Sequence, residues 1–295
     1  MSEAWPALPL NEWQDTCQTL HMWLQMAGKI RMAFAPPLNH WWHVTMAVTA
    51  RGLTTGPIPY GDDSFEIAFD FIGHQVRITT CSGASTAVAL EAQSVAAFYA
   101  RLMDAVRGLG IDVTINTKPQ EVPDPIPFEQ DYTHKSYDPE YAHRFFRVLA
   151  STDKVLERFR SGYLGKASPV QFFWGSMDIA CARFSGRPAV PPKPGRIFGI
   201  SHEEVSVGFW PGAGLGYPAF YAYAVPNPAG METLPHWNAQ LGEFVLPYED
   251  VRQSSDPAET LYAFYTAVYE AAADRGHWDR AALEENYEVQ KMQAH

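Results

Sequence analysis

Cysteine and positive charge are both scarce in this sequence. Among 295 residues there are three cysteines, Cys17, Cys81 and Cys181, and 22 Lys and Arg against 33 Asp and Glu, which gives a formal net charge of −11. The absence of a Cys-x-x-Cys pair argues against a zinc ribbon or a thioredoxin-like site. The acidic balance argues against nucleic-acid binding and against electrostatic binding to anionic membranes, since both need a basic surface.

Long apolar runs are missing as well. No run reaches the roughly 18 apolar residues of a membrane-spanning helix, so no membrane span is expected. Residues 1–13 contain acids and prolines and lack the basic region followed by an apolar core that marks a signal peptide. The isolated cysteines give no indication of an oxidising compartment. These absences together predict a cytoplasmic protein.

The chain does contain a large apolar and aromatic fraction. Hydrophobic residues make up 46%, aromatic residues 14% with nine tryptophans, and charged residues only 19%. This composition is typical of a globular chain with a substantial core. The length suits one large domain or two ordinary ones.

A similar order of features occurs twice. One long amphipathic helix is predicted to end at Gly28-Lys29 and a second at Gly165-Lys166, and a β-rich stretch follows each. Recurrence on this scale predicts the duplication of a whole unit rather than a short repeat array. We therefore expect a first half at residues 1–117, a Pro-rich linker at 118–137 and a second half at 138–295.

Each half is predicted to contain a helix, several antiparallel strands and a further helix, which favours the α+β class. In the first half, alternation over residues 30–34 predicts a strand immediately after the first helix. Two further strands, at 65–71 and 76–80, are predicted to form a hairpin across Gly73-His74. The two halves are expected to pack as one compact body.

In nearly every predicted strand one face is apolar and the other mixes polar and aromatic residues. In the second half the mixed faces include Trp174, Asp178, Ser206, Tyr221 and Tyr223. Few Lys and Glu beside many aromatic and small residues are typical of a pocket wall rather than a solvated face. The alternative, in which these faces of the two halves pack on each other or meet water, stays open.

The densest polar and aromatic cluster is Asn39-His40-Trp41-Trp42-His43. Its two histidines are three positions apart, so on a strand they point to opposite faces, and only a turn there would bring both imidazoles to one metal. His202 is not followed by a second histidine four residues on, as a helical zinc motif requires. No metal is therefore predicted.

Charged residues on the predicted elements offer other chemistry. Glu66 and Asp70 lie on one face of one strand, about 13 Å apart, which exceeds the carboxylate separations of glycoside hydrolysis. Lys29 and Lys166 follow predicted helix ends, where the helix dipole favours a lysine. Alternatively both bind an anionic group or a carbonyl, with assistance from Arg183 and Arg187, since guanidinium clamps carboxylate or phosphate with two bonds.

Several longer segments match a known sequence pattern. They are Trp5-Pro6-Ala7-Leu8-Pro9-Leu10, Pro36-Pro37-Leu38-Asn39-His40-Trp41-Trp42, Gly165-Lys166-Ala167-Ser168-Pro169-Val170, Phe172-Phe173-Trp174-Gly175-Ser176-Met177-Asp178 and Gly208-Phe209-Trp210-Pro211-Gly212. With these motifs the chain resembles, over nearly its whole length, a bacterial family known only as a domain of unknown function. The resemblance implies a cytoplasmic bacterial protein and carries no catalytic residue with it.

Two functional classes remain. The first is a small-molecule-binding protein or an enzyme, with a polar-aromatic pocket on the sheet face that takes a small anionic or ring-containing ligand of unknown identity. The second is a protein-interaction module without catalysis, for example a homodimer. Neither a reaction nor a cofactor is predicted. The candidate ligand-binding residues are Lys29, His40, Trp42, His43, Asp70, Lys166, Trp174, Asp178, Arg183, His202, Trp210 and Tyr221.

Overall fold

A computed structural model describes residues 4–189 and 200–285 of the chain. Within these ranges it has helices and two sheets whose neighbouring strands run antiparallel. The α+β class predicted from the sequence is confirmed, whereas the internal duplication stays a prediction.

The helices are α1 (Leu10–Phe34), α2 (Val95–Gly108), α3 (Pro139–Arg160), α4 (Tyr248–Arg252), α5 (Pro257–Arg275) and α6 (Arg280–Leu283). The first sheet is formed by β1 (Ala47–Val48), β2 (Gly52–Thr54), β3 (Ile58–Tyr60), β4 (Asp63–Asp70), β5 (Gln75–Thr80) and β6 (Ser85–Ala89). The later strands are β7 (Gln171–Phe173), β8 (Asp178–Pro188), β9 (His202–Trp210), β10 (Ala219–Val225), β11 (Trp237–Asn238) and β12 (Glu243–Pro247). Within the described ranges, none of the helices combines the length and the apolar character of a membrane span.

The described chain divides into two compact units. The first unit comprises residues 4–150 and 171–178, and the second comprises residues 151–170, 179–189 and 200–285. The chain passes from one unit to the other inside α3, just before β7 and at the start of β8. The predicted halves and the linker at 118–137 stay a prediction.

The sheet of the first unit has the strand order β1-β2-β4-β5-β6, and β3 pairs with β4. The hairpin predicted across Gly73-His74 is confirmed, with Asp70 opposite Gln75 at its closed end. Asp70 holds the turn because its Oδ1 accepts hydrogen bonds from the backbone N–H groups of Ile72, at 3.0 Å, and Gly73, at 2.8 Å.

The predicted end of the first helix is wrong. α1 continues through Gly28 and Lys29 to Phe34, so the strand predicted at 30–34 is helical. Gly28 does not end the helix. It allows close packing, because a Cβ there would overlap the indole ring of Trp174. The Trp174 Nε1–H group donates to the Val44 carbonyl at 2.8 Å, which fixes the ring in this position.

In the second unit, β11, β12, β10, β9 and β8 are neighbours in that order. α5 packs on one face of this sheet, where the Tyr265 hydroxyl donates to the Gly208 carbonyl at 2.9 Å. α5 begins at Pro257, and the Asp256 side chain accepts from the Glu259 N–H group as its N-cap.

The contact between Gly28 and Trp174 can be tested by adding one methyl group. Gly28→Ala is expected to lower the free energy of unfolding by about 3 kcal/mol, because overpacking forces a large buried ring to move. The measurement is denaturant unfolding followed by tryptophan fluorescence.

Gly108→Ala is the matched control. Gly108 is also helical, and a Cβ there meets no atom within 4 Å. The control is expected to be neutral or to gain up to about 1 kcal/mol from helix propensity. Equal stability of Gly28→Ala and the wild type would contradict the packing of Trp174 on Gly28.

Candidate functional site

Side chains alternate across the sheet of the second unit, which gives it two chemically different faces. The face covered by α3 and α5 carries Ile179, Cys181 and Arg183 on β8, with apolar partners on β9. The Sγ atom of Cys181 lies 3.9 Å from the Leu156 carbonyl of α3. We call this side the helix-covered face.

The opposite side we call the Glu204 face. Its residues form three rows across β8, β9 and β10: Phe184–Glu204–Val225, Ala182–Ser206–Tyr223 and Ala180–Gly208–Tyr221. Trp210 continues the β9 part of this face and lies opposite Ala219. This face therefore combines a carboxyl, a hydroxyl and four aromatic rings with two small alanines of β8.

Glu204 supplies the carboxyl group of this face. It is 3% exposed, in a row between Phe184 and Val225. Desolvation by burial raises its pKa from 4.5 to about 7, because an apolar environment disfavours the charged carboxylate. Perturbed groups of this kind concentrate at functional sites.

The aromatic rings of the Glu204 face lie in contact with one another. Tyr221 and Tyr223 are stacked, with ring centroids 6.2 Å apart and an interplanar angle of 8°. Trp210 meets Tyr221 edge to face at 6.0 Å. Tyr221 lies across Gly208, where a Cβ would be 2.6 Å from its hydroxyl oxygen. The glycine thus makes room for the tyrosine.

Arg183 lies on the helix-covered face, away from Glu204. Its guanidinium is 4.0 Å from the ring centroid of Phe159, 4.9 Å from that of Tyr163 and 4.4 Å from that of Tyr269. It also donates to the Phe159 carbonyl. Cation–π contacts and this hydrogen bond stabilise the buried charge within the fold.

Two other predicted residues of the second unit are exposed. The carbonyl of Lys166 accepts from the Phe184 N–H group at 3.0 Å, which places Lys166 beside the edge of the sheet. His202 begins β9 two residues before Glu204, and its Nδ1 lies 2.9 Å from the Ser201 hydroxyl. The second unit therefore brings Trp210 and Tyr221 together, places His202 on the same strand and puts Arg183 on the other face.

In the first unit Lys29 is buried inside the fold, at 1% exposed. Its Nζ donates to the Lys118 carbonyl at 2.8 Å and lies 5.9 Å from the centroid of Phe128. Desolvation lowers the pKa of the ammonium group. The Lys29 ammonium group therefore holds the segment around Lys118 against α1.

The two predicted histidines of the 39–43 segment stack on different tryptophans. His40 and Trp42 are parallel with centroids 5.1 Å apart, and Trp41 and His43 likewise at 5.7 Å. Nδ1 of His43 accepts from the Leu38 N–H group at 3.2 Å. Desolvation and then the charge of Arg31 lower the pKa of His43.

The remaining predicted residues have structural partners. Asp70 accepts from Nε and Nη2 of Arg51, at 2.9 and 2.7 Å, beside its bonds to the turn. Burial acts to raise the pKa of Asp70, but the bonds from Gly73, Arg51 and Ile72 hold it below its usual value. Trp174 packs on Gly28, and Asp178 accepts a hydrogen bond from the Ser176 hydroxyl.

Glu204 is the site residue that the sequence reasoning missed. The strand periodicity predicts its position, because it alternates in register with Ser206 and Trp210, two members of the predicted polar-aromatic face. The periodicity does not predict its burial. In the described part of the chain, no group of three or more His, Cys, Asp and Glu side chains could hold a metal ion.

Comparison with known proteins identifies the family of this chain and no activity. No curated protein and no solved structure matches the chain. One family model, described as a family of unknown function, matches residues 5–285. The resemblance read from the sequence motifs is thereby confirmed, and the chain belongs to the DUF5996 family, whose activity is unknown.

Proposed function

We propose that the second unit binds a small molecule on the Glu204 face, and that this ligand carries a ring together with a cationic or hydrogen-bond-donating group. The observation that carries the proposal is a buried carboxyl on the same sheet face as a stacked aromatic group. Sites for small molecules are typically lined by aromatic side chains with a few placed polar groups.

The rings account for the apolar part of the ligand. The half-buried rings of Trp210 and Tyr223 lie beside the buried ring of Tyr221 on one side of the sheet. Offset stacking and edge-to-face contacts favour an aromatic or planar ligand, and the same ring faces attract a cation.

The charges favour a cationic ligand group over an anionic one. Glu204 supplies a carboxyl to this face, and the guanidinium of Arg183 lies on the other, helix-covered face. An ammonium group would pair with the Glu204 carboxylate and make it easier to ionise. The ring-containing part of the predicted ligand thus has more support here than the anionic part.

Glu204 also has the acid–base property that a catalytic carboxyl needs. With a pKa raised to about 7 by burial, both its protonated and its ionised forms are populated at neutral pH. General acid–base catalysis is most efficient when the pKa of the group lies near the working pH. Glu204 would then act as a general acid or base toward a ligand with a transferable proton.

The burial of the face favours a small molecule over a protein partner. Glu204, Ser206 and Tyr221 are 3%, 6% and 8% exposed. A protein partner needs a broad accessible patch, with several hundred Å² on each side. These side chains do not provide one.

The ligand class can be tested with three analogues that share one ring. Tyramine carries an ammonium group, tyrosol a hydroxyl, and 4-hydroxyphenylacetate a carboxylate. At about pH 8, where Glu204 is ionised, tyramine is expected to bind at least about tenfold more tightly than the acid, a difference of ~1.4 kcal/mol. Isothermal titration calorimetry measures the three affinities.

Glu204→Gln should remove this preference for the amine, while the ring contacts remain. Glu232→Gln is the matched control, because Glu232 is an exposed glutamate of the same unit and its replacement changes the net charge equally. Tighter binding of the acid, or an equal effect of the two substitutions, would contradict the proposal.

The raised pKa of Glu204 also predicts a dependence of stability on pH. Between its ordinary value of 4.5 and about 7, the folded protein keeps a proton that the unfolded chain has lost. The free energy of unfolding therefore falls as pH rises through this window, by about 3 kcal/mol in total, and the contribution is constant above it.

Glu204→Gln removes the titrating group, so its stability relative to the wild type is expected to increase between about pH 5 and about pH 8. Denaturant unfolding at a series of pH values measures this difference. Glu232→Gln should follow the wild type throughout. Parallel profiles for Glu204→Gln and the wild type would show that the carboxyl is not desolvated.

A further inference from the structure

The first unit has a concave groove on its sheet that the proposed function does not use. The groove has a volume of about 520 Å³ and is lined by Thr49, Arg51, Ala68, Asp70, Gln75 and Arg77, among others. Three of these side chains carry N–H donors. The groove thus contains three donor side chains and one carboxylate, although the whole chain carries a net charge of −11.

Arg51 is held in place at one side of the groove. Its Nε and Nη2 atoms both donate to Asp70, whose other oxygen is fixed by the turn after β4. The Thr49 hydroxyl oxygen accepts from the Arg51 and Gly52 N–H groups, at 3.2 and 3.1 Å. The guanidinium is therefore oriented in advance while its side chain stays 58% exposed.

Arg77 is exposed and makes no ion pair or side-chain hydrogen bond within the described residues. Its direct neighbours on the sheet are Ala68 of β4 and Ala87 of β6. These small residues leave its guanidinium clear on both sides. Gln75, two residues earlier on the same face of β5, lies opposite Asp70.

We propose that the groove between Arg51 and Arg77 binds a compact oxyanion, either a phosphoryl group or a carboxylate. Guanidinium recognises both of these groups with paired hydrogen bonds. One arginine is neutralised by Asp70, so the groove keeps one net positive charge and adds the Gln75 amide as a neutral donor. Asp70 acts as a positioning residue that orients Arg51 rather than as a ligand contact.

The test uses inorganic phosphate and citrate as probes on the full chain at low ionic strength, with affinity measured by calorimetry. Whichever probe binds more tightly identifies the group as phosphoryl or carboxylate. Arg77→Gln is expected to weaken that binding about tenfold or more, whereas Arg77→Lys should weaken it less, because lysine keeps the charge and loses the paired geometry.

Arg107→Gln is the matched control. Arg107 is exposed on α2, pairs with Asp104 at 3.2 Å and lies outside the groove, so its replacement changes net charge equally. It should change affinity by less than about twofold, through screened long-range attraction alone. Thermal unfolding checks that each variant is folded.

Two results would overturn the assignment. One is that neither probe binds the wild-type protein at millimolar concentration. The other is an equal loss of affinity in Arg77→Gln and Arg107→Gln, which would show attraction to overall charge without a site. The groove and Glu204 are tested with different probes and variants. Failure of the groove proposal therefore does not contradict the proposal for the Glu204 face.

Discussion

The alternation of side chains along β8 and β9 places Arg183 and Glu204 on opposite faces of one sheet. A buried charge is costly unless the surrounding structure compensates it. The helix-covered face compensates Arg183 with three aromatic rings and a carbonyl. On the other face, burial raises the pKa of Glu204 to about 7, so the carboxyl takes up a proton and loses its charge.

The same reasoning separates structural charges from those available to a ligand in the first unit. Lys29 is buried against a carbonyl, and Asp70 is satisfied by Arg51 and two backbone N–H groups. Removing either would leave a partner unsatisfied, which destabilises the fold. Arg77 makes no ion pair or side-chain hydrogen bond within the described residues, so its guanidinium is available to a ligand.

Local patterns predicted the elements that depend on local chemistry. Alternation on either side of Gly73-His74 predicted the hairpin of β4 and β5, and alternation on the later strands predicted the face that carries Trp210 and Tyr221. Gly28 was misread because a glycine can end a helix or admit a close neighbour. The residue that decides between these, Trp174, is distant in the sequence and is placed by the fold alone.

The candidate site was predictable to a similar degree and for a similar reason. The aromatic members of the Glu204 face follow from strand periodicity, and Glu204 itself has the same periodicity. Its altered acidity follows from desolvation, which depends on residues brought together by tertiary packing. Arg183 is the opposite case. Its residue type suits an anionic ligand, but its side chain lies on the helix-covered face, where an aromatic ring contacts the guanidinium.

The two proposed sites differ in how solvent acts on them, and this difference separates their ligands. The guanidinium of Arg51 is largely exposed, so the attraction of an anion to the groove is screened within about 10 Å at ordinary salt concentration. Glu204 is buried, where screening is weak and protonation dominates. Anion binding that weakens as salt is added therefore belongs to the groove. Binding of a cationic ligand that is insensitive to salt and strengthens as pH rises through 7 belongs to the Glu204 face.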